Sequence, residues 1–187
     1  MKKHILLTGK PGVGKTSVIK KIIPLLGTSA GGFFTEEIRV MDRRMGFRIV
    51  ALDGKEGIMA HVDCNSNYKV GKYRVDLDSF ERVAIPALEN SLKDKSIIVI
   101  DEIGKMELFS AKFRELVRNI LDGKKPLLCV IKENGDTFTE EIKNRGDVSL
   151  VTVNYENREG LPEKVLDMLK VMKKFAAITV LRNTDAY

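Results

Sequence analysis

The sequence predicts an α/β fold: a mostly parallel central sheet flanked by helices, with an antiparallel meander inserted over about residues 33–62. Three observations carry that prediction. His4-Ile5-Leu6-Leu7-Thr8 is a short apolar run, followed at once by a glycine-rich stretch and then by Val18-Ile19 and Ile22-Ile23 at helical spacing. Ile97-Ile98-Val99-Ile100 and Pro126 to Ile131 are unbroken apolar runs, the pattern of parallel strands buried on both faces. Phe33 to Val40, Gly46 to Leu52 and Ile58 to Val62 are separated only by short turns, and Asp53-Gly54 is a strong turn dipeptide. Short turns join antiparallel neighbours, not parallel ones.

Taken in order, the first strand leads into Gly9-Lys10-Pro11-Gly12-Val13-Gly14-Lys15-Thr16, which fits G-x-x-x-x-G-K-[ST] at every position. This is the pattern of a phosphate loop, and the fold expected with it is a P-loop NTPase fold. The glycines let the backbone curl until successive N–H groups face phosphate oxygens. Lys15 reaches the β- and γ-phosphates, the Thr16 hydroxyl ligates Mg²⁺, and the following helix adds its positive end. A helix is expected from Lys15 to about Ile23, ended or kinked by Pro24 and closed by Gly27. The glycine pair Gly31-Gly32 then leads into the meander, and Asn65 to Lys72 reads as loop.

Asp78 or Ser79 is expected to cap a helix reaching Lys93, with Phe80, Val83, Ala84, Ala87 and Leu88 on one face and a kink at Pro86. Ser110 to Leu121 predicts another helix, closed near Gly123. Lys132 to Asp147 is polar, holds a short helix over Phe138 to Arg145, and suits a mobile cover. Val148 to Val153 reads as a strand. Leu161-Pro162 opens a last helix to about Lys174. The apolar tail from Phe175 to Leu181 suits either a strand or a continuation of that helix.

The totals suit one domain spanning 1–187. Composition is globular, 43% hydrophobic and 31% charged, and no apolar run approaches a membrane span. The start is too short for a signal peptide. Two widely separated cysteines, Cys64 and Cys129, suit a reducing cytoplasm, and with only His4 and His61 to join them no zinc set is expected. The net charge is +6, but the lysines are interleaved with acids and aromatics are few. That charge reads as a solvated surface that also attracts a polyanionic nucleotide, so neither nucleic acid nor membrane is an expected partner. A monomer is expected. The absence of Gln and Trp beside many Lys and Glu leans toward a thermophilic source.

The second half of the site follows the buried strand. Asp101 and Glu102 stand at its carboxyl end, the edge where open α/β sheets bind ligands. Asp101 is expected to hold Mg²⁺ opposite Thr16. Glu102 points the other way in an extended chain unless the backbone turns; if it turns, it can orient or deprotonate an attacking water. Asp101-Glu102-Ile103-Gly104 also fits the D-x-x-G of switch GTPases. Their base-reading Asn-Lys-x-Asp is not matched by Asn119-Ile120-Leu121-Asp122, so a site tolerant of several bases fits better. A second cation is needed where charge develops, with Arg39, Arg145 and Arg158 as candidates.

With these residues placed, the chain resembles a family: the small nucleoside-triphosphatases that include the human cancer-related nucleoside-triphosphatase and thermophile homologues. The resemblance spans almost the whole length. It rests on GKPGVGKT, FFTEEIR at Phe33 to Arg39, Gly46-Phe47, VGKYRVDLDSFE at Val70 to Glu81, IIVIDEIGKMELFS at Ile97 to Ser110, EEIKNR at Glu140 to Arg145, and Glu156-Asn157-Arg158. It implies Mg²⁺-dependent hydrolysis of ATP, GTP, CTP and UTP to diphosphate and phosphate. The nucleotide would be held by Gly9, Lys10, Pro11, Gly12, Val13, Gly14, Lys15 and Thr16, and by Ile97, Ile98, Val99, Ile100, Asp101, Glu102, Ile103 and Gly104. Lys15 and Glu102 would be catalytic, and Thr16 and Asp101 would hold the metal. The loop from Cys64 to Lys69 and the tail match no family motif. A nucleoside or nucleotide kinase is the alternative reading, in which Glu37 and Arg39 hold a hydroxyl acceptor. A third is a slowly turning ATP-binding regulatory or RNA-associated module, marked by steeply salt-dependent RNA binding.

Overall fold

The computed structural model describes the backbone of residues 2–184 and the side chains of residues 2–172. The first strand, β1 (His4–Thr8), shows how the layers arise. Ile5 and Leu7 enter one apolar cluster and Leu6 the other, as alternation along a strand requires, and all three are sealed from solvent. The Ile5 face is covered by α1 (Lys15–Leu26) and α5 (Leu161–Thr184), through Val18, Ile19, Ile22, Val165 and Leu169. The Leu6 face is covered by α2 (Leu77–Asp94) and α3 (Ala111–Asp122), where Phe80 packs edge to face on both Phe33 and Phe113 and those two meet tilted, at centroid separations of 5.5 to 6.1 Å.

The remaining strands are β2 (Ala30–Val40), β3 (Arg43–Ala51), β4 (Glu56–His61), β5 (Lys69–Val70), β6 (Tyr73–Val75), β7 (Ile97–Ile103), β8 (Leu127–Ile131) and β9 (Val148–Thr152). They form one nine-stranded sheet in the order β5-β6-β4-β3-β2-β7-β8-β1-β9. The five strands from β2 to β9 in that order run parallel; the outer four pair antiparallel. The carboxyl ends of β1, β2, β7 and β8 therefore meet along one edge.

The meander differs from the expected insertion at both ends. β2 begins at Ala30, three residues early, and Ala30 to Phe33 pair parallel with β7 before Phe33 to Val40 turn to β3. One strand thus belongs to both halves, and the meander extends the main sheet. Gly31-Gly32 lies inside it: a Cβ on Gly32, whose φ is +119°, would overlap the Val99 carbonyl oxygen. The stretch read as loop from Asn65 to Lys72 contains β5, which pairs with β6 across the Gly71 turn.

Helix ends also move. α1 passes Pro24 to Leu26 and α2 passes Pro86, so neither proline ends its helix. The cap of α2 is Asp76, whose Oδ1 accepts from the Ser79 N–H at 2.9 Å, rather than Asp78 or Ser79. The short polar-segment helix is α4 (Thr137–Lys143), capped by Asp136. The backbone of α5 continues as helix through the tail to Thr184. Among the described residues no helix is long and apolar enough to cross a membrane.

Candidate active site

The phosphate loop is the connection from β1 to α1. Gly9, Gly12 and Gly14 have φ of 141°, 77° and 103°, which side chains resist, and Gly14 is the N-cap of α1. Gly9 is also hemmed in, since a Cβ there would lie 2.5 Å from the Val153 carbonyl oxygen. The Lys15 ammonium donates to the carbonyls of Gly9 at 2.7 Å and Lys10 at 3.0 Å, folded across its own loop. Lys10, Pro11 and Gly12 are exposed, while Val13 is buried and anchors the loop to the core.

On β7 the strand does not end at Asp101, as one condition for turning Glu102 required. Instead the register shifts: Ile100 pairs with Cys129 and Ile103 with Ile131, so three steps on β7 match two on β8. That is a bulge with its extra residue at Asp101-Glu102, the device that re-aims a side chain at an active site. Glu102 is left between the fields of Asp101, Lys15 and Lys132. Burial, and then the Asp101 charge, push its carboxyl above the usual range, while the two lysines pull it down.

Asp101 is fully buried. Its Oδ2 accepts from the Thr35 N–H at 3.0 Å and from the Thr35 hydroxyl at 2.7 Å, and its Oδ1 has no hydrogen-bond partner among the described residues. Burial raises its pKa; the Thr35 bonds, the Thr16 hydroxyl and the Lys20 charge oppose the rise. A buried orphan carboxylate oxygen next to Thr16 fits a hard cation: Mg²⁺ takes one or two protein oxygens and completes its shell with phosphate and water.

A second acid lies behind the first. Glu107 is 4% exposed and its Oε2 accepts from the Gly104 N–H at 3.1 Å. A Cβ placed on Gly104 would lie 2.8 Å from Glu102 Oε1 and 3.0 Å from Glu107 Oε2, so both carboxyls crowd one glycine. Burial, and next the Glu102 charge, raise the Glu107 pKa well above the usual range.

Several expected residues are placed elsewhere. Ile97, Ile98, Val99, Ile100 and Ile103 are buried in the two apolar layers. Their side chains fill the core on both faces of the strand. Arg145 stands at the opposite, amino edge, bonded to Asp122, Asp147 and the Leu121 carbonyl. Arg39 bonds to Glu37 at 2.7 Å on the exposed β2–β3 hairpin, so the pair reserved for an acceptor satisfies itself. Arg158 is the arginine at the loop: Nη1 lies 3.5 Å from the Val13 carbonyl oxygen. Its buried Nε has no hydrogen-bond partner among the described residues, with the Glu159 carboxylate 3.5 Å away as an ion pair only. A cavity of about 400 Å³, lined by Pro24, Gly31 and Ser91, lies at the amino edge, away from this chemistry.

Three site residues escaped sequence reasoning. Thr35 was inside FFTEEIR but gave no sign of which strand it would face. Glu107 was inside the DEIGKMELFS run, where a carboxyl ordinarily means surface. Lys132 directly follows a buried parallel strand, and that place on the carboxyl edge was the available signal; its side chain is 15% exposed and bonds to Asp136 at 3.1 Å.

Comparison with known proteins fits this geometry. The profile of a family described as NTPase matches residues 4–166. A nucleoside-triphosphatase THEP1 from Thermotoga maritima is 50% identical over 166 residues, covering 89% of this chain and 95% of its own. The cancer-related nucleoside-triphosphatase homolog of Bos taurus is 39% identical over 190 residues, covering 93% and 100%. The crystal structure of THEP1 from Aquifex aeolicus superposes with a TM-score of 0.82 at 42% identity, over 89% of this chain and 98% of that one. The solution structure of a human cancer-related nucleoside triphosphatase does so at 0.78 and 40% identity, over 90% and 98%.

Proposed function

The chain belongs to the NTPase family, and we propose that this nucleoside-triphosphatase removes the γ-phosphate of ATP, GTP, CTP and UTP, with Glu102 preparing the attacking water. The observation that carries the reading is the bulge at Asp101-Glu102, with the largely buried Glu102 carboxyl in the fields of Lys15 and Lys132. The loop amides and Lys15 hold the β- and γ-phosphates, displacing Lys15 from the Gly9 and Lys10 carbonyls. The water oxygen bonds to the γ-phosphorus as the bond to the bridging oxygen breaks. The electron pair leaves on the nucleoside diphosphate, and the water's proton goes to Glu102.

Thr16 and Asp101 would hold Mg²⁺, which when bound supplies positive charge to the phosphate oxygens. Thr35 fixes the Asp101 carboxylate by two bonds, so that one oxygen stays free for the cation. Lys132 is the second cation on the β7 side, where charge develops, and Arg158 braces the loop from the β9 side. We take residues 1–187 as a single catalytic domain acting as a monomer.

The test is phosphate release from the four triphosphates by wild type and Glu102→Gln, with nucleotide binding measured beside it. Release is expected to fall on the order of 10²–10⁴-fold in the variant while binding persists. Wild-type turnover in Glu102→Gln would remove the role assigned to the carboxylate. No release from any triphosphate by the wild type would shift the reading toward a transferase lacking its acceptor.

A further inference from the structure

We propose that the ring of Tyr155, backed by Arg158, is the platform on which the nucleobase stacks, and that this subsite accepts all four bases, the larger purines more tightly. The inference rests on the hydrolase reading for the direction in which the triphosphate lies. The acidic pair is on β7, separated from the phosphate loop by β8. A triphosphate with its γ end toward Asp101 and Glu102 must leave the loop on the other side, over β9 and the segment that follows it. That segment is tied directly to the loop strand, the Val153 N–H donating to the Thr8 carbonyl at 2.7 Å.

Tyr155 is the second residue after Val153. It is 70% exposed, whereas Phe33, Phe80 and Phe113 are fully sealed in the core. An aromatic ring left this open beside a phosphate loop has its free face available to a second planar group. Its other face is taken: the Arg158 guanidinium carbon lies 5.1 Å from the ring centroid. The same Arg158 side chain passes 3.6 Å from where a Cβ on Gly14 would stand, so one residue connects the ring to the loop.

The surrounding amides explain the tolerance. Asn154 Oδ1 accepts from the N–H groups of Glu156 and Asn157, Asn157 Oδ1 accepts from the Asn154 N–H, and Asn157 Nδ2 donates to the Thr152 carbonyl. These groups, which elsewhere read base edges, hold the platform rigid instead. Stacking uses the π face that every base carries, so it tolerates all four and favours the larger purines.

The experiment measures binding of ADP, GDP, CDP, UDP and inorganic tripolyphosphate to the full chain as wild type, Tyr155→Ala and Tyr155→Phe. Tyr155→Ala should weaken the four diphosphates roughly 5- to 100-fold, purines most, while tripolyphosphate affinity stays as in wild type. Tyr155→Phe should restore the wild-type values. Unchanged ADP affinity in Tyr155→Ala overturns the platform. So does an equal loss of tripolyphosphate affinity, which would mean that the ring supports the loop. A wild type that binds diphosphates in this pattern but releases no phosphate from triphosphates would sink the hydrolase reading and leave the base subsite standing.

Discussion

Glu107 shows how an acid can be held away from solvent. It accepts from the Gly104 N–H and crowds Glu102, with its pKa driven well up by burial and then by the Glu102 charge. Both causes favour the neutral acid over the carboxylate, and an amide imitates that form. Glu107→Gln should therefore unfold within about 1 kcal/mol of wild type, whereas Glu107→Ala leaves the Gly104 N–H unpaired and should lose roughly 1–3 kcal/mol from that bond alone. Denaturant unfolding of the two variants compares them directly, and equal losses would contradict a neutral Glu107. Thr35 is the other residue whose role is separable. Thr35→Val keeps the backbone bond to Asp101 and removes the hydroxyl bond of 2.7 Å. The Mg²⁺ concentration for half-maximal phosphate release should rise roughly tenfold or more, as when a ligand loses its outer partner. An unchanged Mg²⁺ dependence would leave Thr35 a purely structural contact.

Elements were legible in the sequence where a period ran long enough to be counted. β1, α1, β7 and β8 announced themselves by apolar runs and by the loop between the first two, and with them came Lys15, Thr16, Asp101 and Glu102. Of β2, Phe33 to Val40 was legible but Ala30 to Gly32 was not, because a glycine pair carries no strand pattern and only the approach of Val99 explains it. β5 has two residues, too few to show any alternation. The bulge that aims Glu102 is a property of register between two strands, and neither strand's own residues state it. The glycine reading makes a prediction at this scale. Gly32→Ala adds a Cβ that overlaps the Val99 backbone at a φ of +119°. Strain and overpacking together should destabilise the β2–β7 pairing by about 3 kcal/mol or more. Gly54 has φ of +92° with open space around it, so Gly54→Ala should lose only about 1 kcal/mol. Thermal unfolding of the pair tells close approach from backbone freedom, and similar losses would mean that Val99 yields.

Across the described residues the sheet divides its polar groups by edge: the glycine-rich loop with Asp101 and Glu102 at the carboxyl ends, and a charge network at the amino ends. His4 sits fully buried in the latter. Its Nδ1 accepts from the Leu127 N–H at 3.1 Å, which leaves the proton on Nε2 to donate to the Leu121 carbonyl at 3.0 Å. The ring is thus neutral, and burial, with Lys3 nearby, lowers its pKa from 6.5 to about 4. Between those values the unfolded chain binds a proton that the folded chain refuses. Stability therefore falls as pH drops from about 6.5 to about 4, by roughly 3 kcal/mol for this group. The raised carboxyls of Asp101, Glu102 and Glu107 act with the opposite sign in part of the same window, because there the folded state holds the extra protons. The total curve hence cannot isolate the imidazole, but a difference can. His4→Gln keeps one acceptor and one donor in the pocket and does not titrate. Its stability disadvantage against wild type, measured by denaturant unfolding at a series of pH values, should shrink by roughly 3 kcal/mol between pH 7 and pH 4. Parallel curves would show that the ring is protonated as readily folded as unfolded, and that the buried edge carries its charge on the histidine after all.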